Sequence, residues 1–393
     1  MALSNHAERF TERAVRVAYV YAGKAPVFGR RGASVHMQEV MRALSRRGAE
    51  VDLIARLFGH DPLPGLEAVG RHELDEGSGA GDDLNARVRA TLEALGPRDL
   101  VYERFSLGSY AAMEHARAAG SVGVLEVNGP RVEKAAARGA IEDRAVAEEA
   151  ASRSVAAASA VVAVSEAVAG YVREKYGAGD RVHVVPNGVD PERFPQRLVE
   201  DRRARTDAFT VGFVGTFKAH HGLDTLIEAF GLLARNHPDA ELLLVGDGPE
   251  RDAVEIELER RSLADRAALT GAAPPSEIPS LLARMDAAVA PYPTRRHYVS
   301  PLKVFEYMAA GLPVVGSGAA QIVELAGGGE LGLLVAPDDP AALAGALDRL
   351  ALDPDLRARL GAQGRARVFS SHTWDAVAER ILAFPSVPAG ARG

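Results

Sequence analysis

The residues best suited to chemistry fall in three stretches of the second half of the chain, two of which suit an anion and one a flat ring or a ribose. The first, VGFVGTFKAHHGLDTLIEAF, reads as a strand, a glycine, a polar loop and a helix starting near Gly222. Gly215 lets the backbone turn sharply against a ligand, and the loop carries Thr216, Lys218, His220 and His221 over the strand end. A phosphate there meets loop amides and a lysine point charge. Taken alone, the stretch reads equally well as an ordinary strand-to-helix turn. The second, LLLVGDGPERDAV, brackets Asp247 between Gly246 and Gly248, and Pro249 opens a helix. Such a loop admits a flat ring or a ribose. It lacks the third glycine, and the acidic residue ~20 positions on, that a dinucleotide fingerprint needs.

The third stretch, YVSPLKVFEYMAAGLPVVGS, is the sharpest. Ser300 suits an N-cap and Pro301 the first helical position, so a helix starts there with free amides pointing outward. Lys303 falls in the first turn, where a cation opposes the helix dipole unless an anion lies in front of it. Glu306, at i+3, can accept hydrogen bonds from vicinal hydroxyls; the alternative is a surface ion pair with Lys303. The chain has five lysines among 46 basic residues, so lysine is an uncommon choice here, and two of the five lie in these stretches.

These stretches must be positioned by something, and short apolar runs alternating with amphipathic ones supply the βαβ rhythm of parallel sheets. In the first half the predicted strands are Val15–Tyr21, Val51–Ile54, Leu100–Tyr102, Val122–Val127, Val161–Val164 and Val182–Val185. In the second they are Thr210–Val214, Glu241–Val245, Ala267–Thr270, Ala287–Ala290, Pro313–Val315 and Leu333–Val335. Helices are predicted between them, among them His36–Arg46, Val132–Ala158, Leu223–Asn236, Leu302–Ala310 and Pro340–Ala351. A turn-rich, charged connection around Pro195–Ala208 separates two series of strands and helices, as a domain linker would. Glu76–Asp83 reads as a loop. In such sheets ligands bind beyond the carboxyl ends of the strands, so the working site is expected between the two domains.

Composition narrows the function classes. At 393 residues the chain suits two domains. With no cysteine it has no thiolate catalysis, disulfide framework or cysteine zinc site, which suits a reducing cytoplasm. A net charge of −7 argues against a broad electrostatic grip on nucleic acid or anionic lipid. No apolar run reaches the 18 or so residues of a membrane span, and the first residues lack a signal-peptide core, so a cytoplasmic location is expected. Asp353-Pro354-Asp355 matches a metal-binding D-x-D in spelling only, since it falls in a turn between two late helices.

On these motifs the chain resembles the family-4 retaining glycosyltransferases of the GT-B fold, over nearly its whole length. The matching stretches are GRRGASVHMQEVMRALSRRGAEVDLIA, VVAVSEAV, VVPNGVDPERF, VGFVGTFKAHHGLDTLIEAF, LLLVGDGPE, LTGAAPPSEIPSLL and SPLKVFEYMAAGLPVV. The resemblance implies an α/β fold of two doubly wound, Rossmann-like domains facing across a cleft. An acceptor-binding domain would span 1–195 and a nucleotide-sugar-binding domain 196–370, with a helix and tail over 371–393, Trp374 included, crossing back to the first.

The family's roles carry over by position. Glu306 matches the glutamate that binds the nucleotide ribose, and Ser300, Pro301, Leu302 and Lys303 match the loop that offers amides to the diphosphate. Gly29 to Gly32, with Arg31, form the glycine-rich turn near donor phosphate and acceptor, and the base stacks near Gly246–Pro249 and Gly271–Ala273. This chain departs from the pattern at several places. Tyr298 stands where the first glutamate of E-x7-E contacts the donor sugar, and Arg295, Arg296 and His297 make that loop basic. Thr216 replaces an arginine and His221 a lysine, which leaves Lys218 to bring a cation to the β-phosphate. Where the family often has a histidine in the first domain, VYERF and LEVNGP offer Glu103, Arg104 and Asn128; Arg104 and Asn128 are assigned to the sugar pocket.

The implied reaction moves a sugar from a nucleotide diphosphate, UDP ahead of GDP, to a hydroxyl acceptor with retention, using no metal and no cofactor. The acceptor would be a small molecule, a glycan or a natural-product scaffold, and the protein a monomer or homodimer with at most weak peripheral membrane contact. Three other classes compete. A two-lobed solute-binding protein would be exported. A pyridoxal-phosphate phosphorylase would need a lysine in the second half, where Lys218 and Lys303 are available. A catalytically inactive homologue acting as a binding or regulatory partner is the strongest rival, given Tyr298 and Thr216.

Overall fold

The computed structural model describes residues 13–74, 83–203, 208–294, 302–317 and 320–385. Tyr298, Ser300 and Pro301, the basic residues 295–297, nearly all of the 76–83 loop and the end of the tail lie outside the described residues.

The chain divides into two compact units, residues 1–187 with 374–393, and residues 188–373. The first carries β1 (Arg16–Tyr21), β2 (Glu50–Ala55), β3 (Gly70–Glu73), β4 (Leu100–Arg104), β5 (Val122–Val127), β6 (Ala160–Ala163) and β7 (Val182–Val184). They form a seven-stranded sheet in the order β3-β2-β1-β4-β5-β6-β7. Every pairing in it is parallel. The second unit carries β8 (Thr210–Val214), β9 (Glu241–Val245), β10 (Ala267–Gly271), β11 (Ala287–Ala290), β12 (Val314–Ser317) and β13 (Leu333–Val335). Its order is β10-β9-β8-β11-β12-β13, again parallel throughout. Both sheets therefore reverse their winding once, between β1 and β4 and between β8 and β11, which opens a crevice at the carboxyl ends of those strands.

Helices cover both faces of each sheet, so the central strands are buried throughout and read as nearly unbroken apolar runs. In the second unit Val211, Phe213, Leu242 and Leu244 pack to one face with the helix Leu223–Asn236. Val214, Leu243 and Val245 pack to the other with the helix Leu302–Ala309. That helix ends at Gly311, whose φ of +65° suits a glycine. Among the described residues no helix is long and apolar enough to cross a membrane.

Three sequence expectations need correction. The stretch Val132–Ala158 is two helices, Arg131–Ala136 and Arg144–Ala157. Gly139 leaves the helix with a φ of +63°, and Asp143 then caps the second helix by accepting from the amides of Ala145 and Val146. The strand β3 was not foreseen, because GRHE has no apolar pattern and is half exposed at the sheet edge. The units part at Asn187 and Gly188 rather than near 195. Val189 and Phe194 are buried in the core of the second unit, and Arg202 donates to the carbonyls of Ala310 and Gly311 at 2.8 and 2.6 Å. The segment 189–203 thus belongs to the second unit, and within it Gln196–Arg203 is helical.

At the other end, residues 374–393 group with the first unit. The Trp374 ring lies edge-on to His36, 5.2 Å between centroids, and Arg46 donates to Asp375.

Candidate functional site

In the second unit the predicted residues that are described lie at the carboxyl ends of β8, β9 and β10 and on the helix Leu302–Ala309. β8 ends at Val214; Gly215 and Gly246 follow β8 and β9, and Gly271 is the last residue of β10, at neighbouring sheet ends. The amide of Gly215 donates to the Val245 carbonyl and that of Gly246 to the Gly271 carbonyl, both at 2.9 Å. Gly246 has a φ of +148°, and a Cβ there would meet the Gly215 carbonyl oxygen at 1.9 Å. Only glycine permits that approach. At Gly248 a Cβ would meet the carbonyl oxygen of Phe217 at 2.4 Å, and the Phe217 amide donates to the Asp247 carbonyl. The Asp247 side chain accepts from the Gly248 amide at 2.7 Å and stays largely exposed.

The helix Leu302–Ala309 is pinned to the end of β8. The Val214 amide donates to the Tyr307 hydroxyl at 2.7 Å. This holds Lys303 beneath the β8 loop. A Cβ on Gly215 would meet Nζ of Lys303 at 2.7 Å, so the missing side chain of Gly215 makes the room for this ammonium. Nζ stands 3.8 Å from the centroid of the Phe213 ring and 5.5 Å from that of Tyr292. It is buried and has no hydrogen-bond partner among the described residues. Burial pulls its pKa down to about 7. A cation in an aromatic box gains from the ring faces, but not enough to replace lost water or a counter-ion.

The surface ion pair between Lys303 and Glu306 does not form. Glu306 instead accepts from the guanidinium of Arg193 at 3.3 Å, and the other arm of Arg193 donates to the Pro275 carbonyl at 2.6 Å. Burial raises the pKa of the Glu306 carboxyl, and Arg193 opposes the rise. Arg193 went unassigned in the sequence although it stands in the quoted VVPNGVDPERF. What brings it to Glu306, 113 positions on, is tertiary.

Around β8, Thr216 accepts at its carbonyl from Nδ1 of His221 at 2.6 Å, which assigns the proton of that ring to Nδ1. The His221 ring lies edge-on to Tyr292, 5.7 Å between centroids. Lys218 is exposed at the loop. Leu302 opens the helix, half-buried. Asp353 is a helix cap, accepting from the Leu356 amide at 2.8 Å. Among the described residues no group of three or more His, Asp or Glu side chains is arranged as a metal site.

In the first unit, Gly32 opens the helix Gly32–Arg46 and Arg31 precedes it, both exposed. Arg104 and Asn128 converge on Glu126, which the sequence reading did not single out. Glu126 accepts from Arg104 at 2.6 Å, from Tyr102 at 2.5 Å and from Asn128, and meets Nε2 of His36 at 2.9 Å. Nδ1 of His36 faces the side-chain oxygen of Asn187 at 2.8 Å. Burial alone would raise the Glu126 pKa; His36 and Arg104 hold it well below the usual range. On the other face of β4, Glu103 is fully buried and its pKa is raised to about 7, with the Ser109 hydroxyl opposing.

Comparison with known proteins agrees with this architecture. A family model described as Glycosyltransferase Family 4 matches residues 30–193, and one described as Glycosyl transferases group 1 matches residues 208–353. Glycogen synthase of Mycobacterium tuberculosis is 31% identical over 53% of this chain and 49% of its own. The 2-deoxystreptamine glucosyltransferase of Streptomyces kanamyceticus is 31% identical over 50% of this chain and 52% of its own. The chain thus spans about half the length of the curated relatives it matches. Among solved structures, sucrose-phosphate synthase of Thermosynechococcus elongatus superposes with a TM-score of 0.71 at 22% identity, over 93% of this chain and 97% of that one. Anabaena Alr3699/HepE in complex with UDP and glucose does so with a TM-score of 0.71 at 20% identity, over 93% and 98%. These likenesses establish the GT-B fold, and with both family models matched in order along it, the chain belongs to the family-4 glycosyltransferases.

Proposed function

We propose that the second unit binds a nucleoside diphosphate sugar, UDP-linked ahead of GDP-linked, and that the protein transfers the sugar to a hydroxyl acceptor with retention. The observation that carries this reading is Lys303, a buried ammonium without a hydrogen-bond partner among the described residues, under the glycine loop at the winding reversal. A diphosphate is the ligand that gives such a group its counter-charge. Glu306, held by Arg193, receives the ribose hydroxyls, and the base is assigned to the turns at Gly246 and Gly271. The UDP preference draws on the HepE complex with UDP and glucose.

In the transfer, the bond from the anomeric carbon to the β-phosphate oxygen breaks and the acceptor oxygen bonds to the same carbon from the same face. The acceptor proton passes to the departing phosphate oxygen. Such a step needs stabilised charge on the leaving group more than a side-chain base, and removing one such donor typically slows a reaction by ~10²–10³. Lys303 is assigned that role, with Lys218 as a second, exposed cation. The reaction is proposed to need no metal and no cofactor, and to run in the cytoplasm.

Thermal unfolding against UDP, GDP and their sugar conjugates, with and without magnesium, tests the donor site. A ligand at ~100 times its Kd adds about 2.7 kcal/mol, a shift of degrees. If no nucleotide shifts the protein, the donor site is refuted. If one shifts it but no donor is ever hydrolysed or transferred, the inactive-homologue reading replaces the enzyme.

A further inference from the structure

The first unit has a winding reversal of its own, between β1 and β4, and the groups at its carboxyl edge carry more positive charge than they can neutralise. Tyr21 ends β1, Arg104 ends β4, and Arg131 opens the helix that follows β5. Arg104 is 6% exposed and Arg131 half-buried. Arg131 follows Glu126 by a few residues at the same sheet edge, where Tyr21 and Glu126 attract its charge and Arg104 repels it. Glu126 cannot serve both arginines, because its oxygens already face Arg104, Tyr102, Asn128 and His36. Two polar atoms in the cluster also have no hydrogen-bond partner among the described residues, Nε of the buried Arg104 and the hydroxyl of the fully buried Tyr19. Burial draws the Arg131 guanidinium below its usual pKa, with Tyr21 opposing and Arg104 adding to the fall.

Two guanidiniums against one saturated carboxylate, at the place where a doubly wound sheet binds its ligand, make a partly desolvated cationic cluster. We propose that Arg131, with Arg104, binds an anionic group of the acceptor, a phosphate monoester or a carboxylate, and so selects a charged acceptor over a neutral one. Guanidinium groups suit both oxyanions, since each presents paired oxygens to a planar fork of donors. Calling the ligand an acceptor rests on the glycosyltransferase reading; the anion site does not.

The test is calorimetric titration of the full chain, saturated with UDP so that Lys303 is already occupied. Inorganic phosphate, glucose 6-phosphate, glucuronate and glucose are the probes. We expect inorganic phosphate to bind in the presence of UDP. Arg131→Gln should weaken that binding about tenfold or more, Arg131→Lys less, with UDP affinity unchanged as the control for folding. Glucose 6-phosphate or glucuronate binding more tightly than glucose then tells phosphate from carboxylate. If UDP abolishes all phosphate binding, or if Arg131→Gln leaves it within about twofold, the proposal is overturned. Should UDP itself fail to bind, the donor reading falls on its own, and the same phosphate titration on Lys303→Met and on Lys303→Met with Arg131→Gln decides the anion site separately.

Discussion

Replacing Lys303 with methionine separates a binding role from a structural one. In the unliganded protein burial lowers the Lys303 pKa from 10.5 to about 7. A group depressed in the fold binds fewer protons there than in the unfolded chain, so stability rises with pH between the two values and the penalty is full below about 7. At 1.36 kcal/mol per pKa unit the penalty at neutral pH is about 4 kcal/mol before relaxation of the site. Lys303→Met keeps the length and removes the charge. It should therefore raise the midpoint of unliganded unfolding by about 5 °C or more near pH 6, where a kilocalorie shifts a domain of this size by about 2–4 °C. The same variant should lose the shift produced by UDP. Binding also has a proton signature. A diphosphate beside Nζ restores its proton, so at about pH 8, where roughly nine-tenths of this lysine is neutral, wild-type binding takes up about 0.9 proton. Calorimetry in buffers of different ionisation enthalpy measures that uptake, and Lys303→Met should not show it. A variant that is less stable than wild type near pH 6, or that binds UDP equally well, would refute the assignment.

Three further outcomes are expected. Glu306→Ala should weaken UDP by about tenfold to a hundredfold, since it removes a charged hydrogen-bond acceptor and leaves Arg193 without its carboxylate. UDP affinity within twofold of wild type would remove the ribose role. Glu103→Gln should be nearly neutral in acid and more stable than wild type by about 3 kcal/mol above pH 7. A carboxyl raised from 4.5 to about 7 costs the fold stability as pH climbs through that window, so a pH-independent difference in urea unfolding would contradict the burial argument. Gly246→Ala sets a Cβ against the Gly215 carbonyl and should destabilise the second unit by about 3 kcal/mol or more. Wild-type stability in that variant would mean the three glycine loops are not packed as described.

Local signals made the scaffold readable. Strand-length apolar runs such as Thr210–Val214 and Ala287–Ala290 stand in the structure at the bounds read from the sequence, because a strand buried on both faces leaves an uninterrupted apolar run. Where the local signal was weak the reading failed, at the polar edge strand Gly70–Glu73 and at the break around Gly139. The linker misled for a different reason. The stretch around Phe194 and Arg202 is charged and proline-flanked, yet its few apolar residues are enough to fasten it to the second unit.

By itself the sequence determined two doubly wound sheets and pointed to Lys303, Glu306 and the glycine turns as chemistry-bearing positions, since caps, dipoles and turns act over a few residues. Only the tertiary structure decided that Lys303 stands apart from Glu306, that Arg193 takes that carboxylate, and that Glu126 gathers His36, Tyr102, Arg104 and Asn128. These are contacts across 113 positions in one case and up to 90 in the other, and no local spacing encodes them. Desolvation, which sets the charge of Lys303 and Glu103 and the imbalance around Arg131, is a property of what surrounds a group in space. It exists only once the sheets are packed.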